Sequence, residues 1–366
     1  MTTVGDILEV VGRLAPWSLA ESWDNVGLLV GEGEAEVRRL LVALDVTEAV
    51  CDEAAEVGAE MILTHHPLVF RPLERVTGET PTGRLVLRLA REGRALAAAH
   101  TNLDAAEGGL ADLLARALGL VDLEPLRAAA GPPRFKVVTF VPAEALEAVA
   151  QAAFEAGAGR VGRYTETAFE SAGTGRFRPG PGASPAEGEV GRTNRVAEVR
   201  LETVVPADRL TAVVEAAARA HPYEEPVIDA YALHDPPTRA GLGRVGVLEA
   251  STRLAELADK VKEVLGCESV RVAGDPAAPV VRAGLVTGSG GGMTEALLRA
   301  GADAYVTGEL KYHEAADLAA RGIGVVLAGH WWTERRALEA WVPRLAEAVE
   351  AEVLLARRER DPLRVR

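Results

Sequence analysis

Short apolar runs alternate with amphipathic stretches over the first third of the chain. The apolar runs predict buried strands at residues 39–44, 61–64 and 95–99. The amphipathic stretches predict helices at residues 47–57, where Thr47 is the N-cap, at 83–92 and at 109–118. This rhythm is typical of βα units around a mainly parallel sheet.

A different pattern occupies the middle of the chain, after the cluster Gly131-Pro132-Pro133. Strands are predicted at residues 136–141, 195–205 and 226–233, and helices open after the first two strands at Pro142 and Pro206. With one more strand in its first half, the segment has the order of a ferredoxin-like α+β unit. Its glycine- and proline-rich stretch, residues 173–188, predicts a long loop.

The βα pattern returns after Asp235-Pro236-Pro237. Strands are predicted at residues 280–287, 304–307 and 324–328, with helices at 294–300 and 312–321. We therefore expect one α/β core built from both ends of the chain, residues 1–130 and 240–366. A separate domain, residues 134–235, is inserted between them, as surface loops readily allow.

Histidines follow three of the predicted strands, and two of these strand ends carry a carboxylate four residues later. The side chains are His65, His66, His100 with Asp104, and His330 with Glu334. Because ligands collect outside the carboxyl ends of strands in parallel sheets, we expect these groups at one sheet edge. The i, i+4 spacing places each histidine and its carboxylate on one helical face. For any single histidine, the alternative is an ordinary polar residue capping a strand or helix.

Mixed imidazole and carboxylate ligands indicate which metals such a site would hold. They suit zinc, manganese, iron, cobalt or nickel better than calcium or magnesium. A bridging carboxylate would allow two divalent ions about 3.5–4 Å apart.

Other polar residues near predicted strand ends have two interpretations each. Glu309 and His313 are candidate catalytic groups, as a general base or a substrate contact, or else belong to a solvated helix start. The glycine-rich loop at residues 288–292 is a tight turn or a phosphate contact, and it matches neither the dinucleotide fingerprint nor a P-loop. Asp24 and Asn25 precede a predicted turn at Gly27, and turn chemistry alone would explain them, whereas Asp45 would belong to the loop before the helix capped at Thr47.

Charge and cysteine content limit which partners and which cellular compartment are expected. Fifty-four acidic residues against forty basic residues give a formal net charge of −14, which argues against general nucleic-acid binding. Cys51 and Cys267 stand far apart and outside any CxxC spacing, so we expect no disulfide, no thiolate zinc site and a cytoplasmic location. No stretch approaches about eighteen uninterrupted apolar residues, so we expect no membrane partner.

Five blocks of sequence together carry a specific resemblance. They are Trp23-Asp24-Asn25-Val26-Gly27-Leu28, Thr64-His65-His66-Pro67, His100-Thr101-Asn102-Leu103-Asp104, Thr307-Gly308-Glu309 and Gly329-His330-Trp331-Trp332-Thr333-Glu334. This combination resembles the NIF-three-like dinuclear metal centre family, whose members are often described as type-two GTP cyclohydrolase I homologues. The resemblance covers essentially the whole chain.

The resemblance implies a ligand set and an assembly. The implied ligands of two divalent ions are His65, His66, Asp104, His330 and Glu334. Glu334 would bridge the ions, and His100 would be an additional ligand or an outer group. The resemblance also implies a ring-shaped homohexamer whose inserted domain looks like the nitrogen-regulatory PII and copper-tolerance CutA trimers.

The leading functional hypothesis is a metal-dependent hydrolase, in which two divalent ions lower the pKa of a bound water toward about 7. On the resemblance, the small-molecule substrate would be a nucleotide, and hydroxide would open GTP at the imidazole carbon of its purine ring. Glu309 or His313 would move protons. The alternatives are a metal-binding regulatory or scaffold protein with a ligand-sensing insert, and a metal chaperone or store.

Overall fold

The computed structural model describes residues 2–129, 133–234 and 238–364. The chain divides into two compact units, the first formed by Met1–Ala129 with Thr238–Arg366 and the second by Ala130–Pro237. The expected boundary clusters at Gly131-Pro132 and Asp235-Pro236-Pro237 lie outside the described residues.

The first part of the first unit alternates strands and helices. Its elements are α1 (Val4–Leu14), β1 (Gly27–Val30), β2 (Arg39–Ala43), α2 (Glu48–Val57), β3 (Met61–Thr64), α3 (Pro81–Arg91), β4 (Ala95–Ala98), α4 (Thr101–Ala105), α5 (Leu110–Ala117) and β5 (Leu120–Ala128). A single 3₁₀ turn, Trp17–Leu19, follows α1. Threonines begin three of the helices, because the Thr3, Thr47 and Thr80 hydroxyls each accept a first-turn amide.

The second unit follows, and the chain then returns to the first. The second unit contains β6 (Arg134–Val141), α6 (Leu146–Glu155), β7 (Ala168–Phe177), β8 (Asn194–Pro206), α7 (Leu210–Ala220) and β9 (Ile228–Ala232). The remaining elements are β10 (Gly241–Arg253), α8 (Leu254–Leu265), β11 (Arg271–Ala273), β12 (Pro279–Ser289), α9 (Thr294–Arg299), β13 (Ala304–Glu309), α10 (Tyr312–Ala320), β14 (Gly324–Leu327), α11 (His330–Ala348) and β15 (Glu352–Leu355). Within the described residues, no helix is both long enough and apolar enough to cross a bilayer.

The strands of the first unit form two sheets. One has the order β1-β4-β3-β2-β15, parallel except at β1, and the other has the order β11-β14-β13-β12-β10-β5. In the second sheet β12, β13 and β14 are parallel neighbours. The expectation of one sheet edge was therefore wrong, since β3 and β4 belong to one sheet and β14 to the other.

A shared apolar core explains why two sheets replace one. Leu63 of β3 and Val326 of β14 belong to the same buried cluster, together with Leu338 and Trp341 of α11. Each sheet buries one face against this cluster and its helices. Apolar runs predict strands, but they do not specify which strands pair.

The second unit is a four-stranded antiparallel sheet with two helices. Its chain order, β6-α6-β7-β8-α7-β9, and its strand order, β7-β8-β6-β9, are those of a ferredoxin-like fold. The loop predicted at residues 173–188 was wrong over its first part. Gly173 to Phe177 pair with β8, because ladder hydrogen bonds come from the backbone, which glycine also has.

A buried arginine fixes the end of the helix that carries Asp104. Arg244 of β10 is 1% exposed and forms an ion pair with Asp112 of α5. Its guanidinium also donates to the Ala105 carbonyl at 3.4 Å and the Ala106 carbonyl at 2.9 Å, immediately after Asp104. A strand of the second sheet thereby holds a ligand candidate that follows a strand of the first.

We expect Arg244→Ala to lower the free energy of unfolding by about 3–5 kcal/mol, because it leaves the buried Asp112 carboxylate without its partner. Chemical denaturation of both proteins measures this loss. Arg13→Ala is the control, since the exposed Arg13–Glu9 pair should contribute less than about 1 kcal/mol. Equal losses for the two variants would contradict the structural role of Arg244.

Candidate metal centre

The carboxyl ends of strands from both sheets converge on one cluster of histidines and carboxylates. His65 and His66 leave β3, and His100 leaves β4 immediately before α4. His330 begins α11 just after β14, so Glu334 lies on the next turn of the same helix. We call the following six residues the ligand cluster: His65, His66, His100, Asp104, His330 and Glu334.

Glu334 is the centre of this cluster. Its Oε2 lies 3.0 Å from His66 Nε2, and its Oε1 lies 3.1 Å from His330 Nε2 and 3.8 Å from His65 Nε2. His65 Nε2 is also 3.5 Å from Asp104 Oδ2. The sequence-predicted ligands are thus brought within contact of one another.

The ligand cluster contains two overlapping sets of possible metal ligands. His65, His66 and His100 form one set, and His66, His330 and Glu334 form the other, with the ligand atoms of each set within 4.8 Å of one another. His66 belongs to both sets. This arrangement can accommodate one ion or a pair of neighbouring ions.

Each of the four histidines is held at its Nδ1 by a partner outside the ligand cluster. The pairs are His65 with the Ala99 carbonyl at 2.9 Å, His66 with Asp45 at 2.9 Å, His100 with Asp24 at 2.9 Å and His330 with Glu309 at 3.1 Å. An acceptor at Nδ1 keeps the proton there and leaves Nε2 free to bind a metal. The four rings are therefore oriented as metal ligands usually are.

Two buried atoms provide a direct test of whether a metal fits. His65 Nε2 and Glu334 Oε2 are buried without a hydrogen-bond partner. The nearest charged group to Glu334 Oε2 is His66 Nε2, an ion-pair contact at 3.0 Å. Buried polar atoms without partners are costly, and nitrogen and oxygen donors about 3 Å apart match the spacing of two ligands on one ion. The residues present fit a divalent metal.

The electrostatics of the cluster show strong coupling between imidazole and carboxylate. Burial lowers the pKa of His66, but Asp45 and Glu334 outweigh it and raise that pKa to about 9. The hydrogen bond to Glu334 raises the pKa of His330 to about 9 as well. Burial raises the pKa of Glu334, yet the three surrounding imidazoles outweigh burial and hold it well below the usual range.

Asp24 and Asp45 have functions that turn chemistry did not capture. Burial raises the pKa of Asp24, but hydrogen bonds from His100 and Thr101 outweigh burial and hold that pKa at about 2. Asp45 follows β2 as His65 follows β3, and β2 and β3 are parallel neighbours. The rule that strand ends gather at one edge was sufficient to find Asp45.

The two catalytic candidates occupy different surroundings. Glu309 ends β13 and contacts the ligand cluster through His330, with its side chain half exposed. His313, on α10, is exposed, and its ring packs against Tyr312 at a centroid distance of 5.3 Å. Among the described residues, no contact joins His313 to the ligand cluster.

The glycine-rich loop at residues 288–292 has three of its amides engaged within the protein. The Gly288 amide donates to Thr333 Oγ1, the Gly290 amide to the Glu309 carbonyl and the Gly292 amide to Glu314 Oε1. These bonds favour the tight-turn interpretation over a phosphate cradle.

Gly288 has a more specific function, which the sequence did not reveal. Its φ is +61°, and a Cβ at this position would lie 2.0 Å from Glu334 Oε1 and 3.0 Å from His330 Nε2. The absence of a side chain at Gly288 therefore makes room for two members of the ligand cluster. Thr287, next to it, donates to Asp104 Oδ1 at 2.7 Å and fixes the opposite side of the cluster.

Comparisons with known proteins agree with this description. The sequence model of the family described as Duf34/NIF3 (NGG1p interacting factor 3) matches residues 2–362. A protein of Halalkalibacterium halodurans named GTP cyclohydrolase 1 type 2 homolog is 40% identical over 324 residues, covering 88% of this chain and 87% of the relative. The Bacillus subtilis protein of the same name is 41% identical over 325 residues, covering 89% and 87%.

Solved structures show the same architecture. A Bacillus cereus protein related to NIF3 is 35% identical, with a TM-score of 0.74, and the match covers 100% of this chain and 99% of that one. Staphylococcus aureus protein SA1388 is 27% identical, with a TM-score of 0.84 and the same coverage. These matches confirm the predicted α/β fold class.

We expect Gly288→Ala to weaken metal binding at least about tenfold, because the new methyl group would displace Glu334 or His330. Competition with a chelating dye measures the dissociation constant. Gly292→Ala is the matched control, since its φ of +76° imposes similar backbone strain while no atom lies within 4 Å of the new Cβ. Equal metal affinities in the two variants would contradict this function of Gly288.

Metal binding should release protons near pH 7. Imidazoles with a pKa of about 9 hold protons at pH 7, and a metal binds only the neutral ring. Apparent affinity should therefore rise as the pH increases from 7 to about 9 and then level off. Calorimetric titration in two buffers with different ionisation enthalpies measures the released protons. Identical heats in both buffers would contradict the prediction.

Proposed function

The chain belongs to the Duf34/NIF3 (NGG1p interacting factor 3) family, and from that premise we propose that its ligand cluster is the dinuclear metal centre of a hydrolase acting on a nucleotide. The observation that carries the proposal is the pair of overlapping ligand sets sharing His66. Relatives named GTP cyclohydrolase 1 type 2 homolog make GTP the first candidate substrate.

The six residues of the ligand cluster would hold the proposed ions, and Glu334 would be the ligand shared by both. This bridging position is supported by the contacts of Glu334 with His65 in one ligand set and with His330 in the other. Zinc, manganese, iron, cobalt and nickel all suit these donors. The hydrogen bonds at Nδ1 keep each imidazole in the tautomer that presents Nε2.

In the proposed reaction, the oxygen of water bonds to the imidazole carbon of the guanine ring, the bond from that carbon to one ring nitrogen breaks, and that nitrogen takes up a proton. Two divalent ions, when bound, supply a water whose pKa falls toward about 7. Glu309 is the candidate proton acceptor, because its half-exposed carboxylate lies beside His330 and open to a ligand. His313, exposed at the start of α10, is proposed as a second proton carrier.

We also propose a cytoplasmic homohexamer. The cytoplasmic location is supported by Cys51 and Cys267, which are both buried and free, as expected in a reducing compartment. The hexamer rests on the motif resemblance alone. The net charge of −14 argues against general nucleic-acid binding.

A second candidate function is a metal-binding regulatory protein whose inserted unit senses a ligand. One observation favours it, a cavity of about 660 Å³ within the second unit. Its lining includes Phe140, Arg200 and Tyr223. A cavity of this size suits a small molecule.

The hydrolase proposal is tested by measuring turnover with protein that is loaded with one kind of divalent metal at a time. We expect metal-dependent conversion of GTP, or of another nucleotide in a panel, to be abolished in His65→Ala and Glu334→Ala. Glu309→Gln should reduce turnover by about 10²–10⁴-fold, since it removes a proton acceptor. His234→Ala, which changes an exposed histidine of the second unit, is the matched control and should retain activity.

The outcome separates the two candidates. If no nucleotide in the panel is converted with manganese, zinc, iron, cobalt or nickel, the hydrolase proposal fails. Metal-independent binding of a small molecule to the second unit, lost on Arg200→Ala, would then support the regulatory candidate.

A further inference from the structure

Two large aromatic side chains stand exposed beside the ligand cluster. Trp23 is 56% exposed and Phe70 is 46% exposed. Their ring centroids are 5.7 Å apart and tilted by 55°, and they lie 6.2 Å and 6.5 Å from the ring of His100. Single exposed apolar residues are normal on a protein surface, but here two rings are grouped against a metal-ligand candidate.

The backbone around these rings is fixed by polar contacts. Asp24 accepts hydrogen bonds from His100 and from the Thr101 amide, and Asn25 Nδ2 donates to the Val69 carbonyl at 2.5 Å. The bond from Asn25 joins the segment carrying Trp23 to the segment carrying Phe70. The backbone beside both rings is therefore fixed, and about half of each aromatic side chain stays exposed, so burial in the core does not explain them.

The location of the rings indicates what could cover them. The His100 ring lies 5.1 Å from the His65 ring and 5.5 Å from the His66 ring. A planar ring stacked on Trp23 or Phe70 would therefore be separated from His65 and His66 by the His100 ring. The unpartnered Nε2 of His65 lies just beyond.

We propose that Trp23 and Phe70 form a stacking platform for a planar heteroaromatic ring of the ligand that binds at the ligand cluster. The proposal deepens the proposed function, because a nucleotide carries such a ring together with groups that can reach the metal. Stacking uses the π-face that every nucleobase has, and it is independent of charge. The platform should therefore recognise the base and be indifferent to the sugar and phosphate.

Equilibrium binding with three probes tests the platform on the full chain loaded with Mn²⁺. The probes are guanosine 5′-monophosphate, cytidine 5′-monophosphate and ribose 5-phosphate, which has no base. In Trp23→Ala we expect affinity for both nucleotides to fall by about 5- to 150-fold, while affinity for ribose 5-phosphate stays unchanged. Trp23→Phe should restore most of the loss, and Phe70→Ala should show a smaller loss of the same kind.

Two controls keep the result specific. Phe169→Ala removes a similarly exposed phenyl ring, 62% exposed in the second unit, and should leave all three affinities unchanged. Metal content is measured in every variant, and bound nucleotide should quench tryptophan fluorescence in the wild type more than in Trp23→Phe.

Three results would overturn the platform. Unchanged nucleotide affinity in both Trp23→Ala and Phe70→Ala is one. An equal loss of affinity for ribose 5-phosphate is another, because Trp23 would then stabilise the metal site and not the base. Dissociation of an oligomer with unchanged nucleotide affinity is the third, because a second copy would then cover the rings. Absence of turnover with base-dependent binding intact would defeat the hydrolase proposal and leave the platform standing.

Discussion

The buried carboxylate of Glu334 is the constraint on which the arrangement of this site depends. An ionised carboxylate that is 3% exposed costs several kcal/mol unless positive charge or hydrogen-bond donors surround it. Imidazoles from β3 and from its own helix provide that environment, and divalent cations would provide it more completely. Three other features serve the same charge. The outer partners orient the imidazoles, the first turn of α11 places His330 beside Glu334, and the missing side chain at Gly288 leaves room for both.

The sequence contains the ligand cluster but not the framework that aligns it. His65, His100 and His330 each follow an apolar run, and spacing alone associates Asp104 and Glu334 with two of them. Strand ends are local features, so they can be read from one stretch of chain. The division of those strands between two sheets depends on pairing over long separations, which apolar periodicity does not encode.

The partners outside the ligand cluster were harder to predict for a related reason. Asp24 contacts His100 across 76 positions of the sequence, and turn chemistry gave a sufficient local explanation for it. The strand from Gly173 to Phe177 was missed because glycine is unfavourable in strands on average, although its backbone pairs with β8 here. In both cases a local preference was outweighed by a contact made elsewhere in the fold.

Trp23 and Asp24 are neighbours in the chain, yet their side chains make different kinds of contact. Asp24 holds His100 in the orientation of a metal ligand, whereas Trp23 presents an open ring to whatever lies beside it. Under the two proposals, adjacent residues therefore have separate roles: Asp24 orients a metal ligand, and Trp23 contacts the bound molecule. A substitution at Trp23 would then alter the proposed stacking surface and leave the Asp24–His100 hydrogen bond in place.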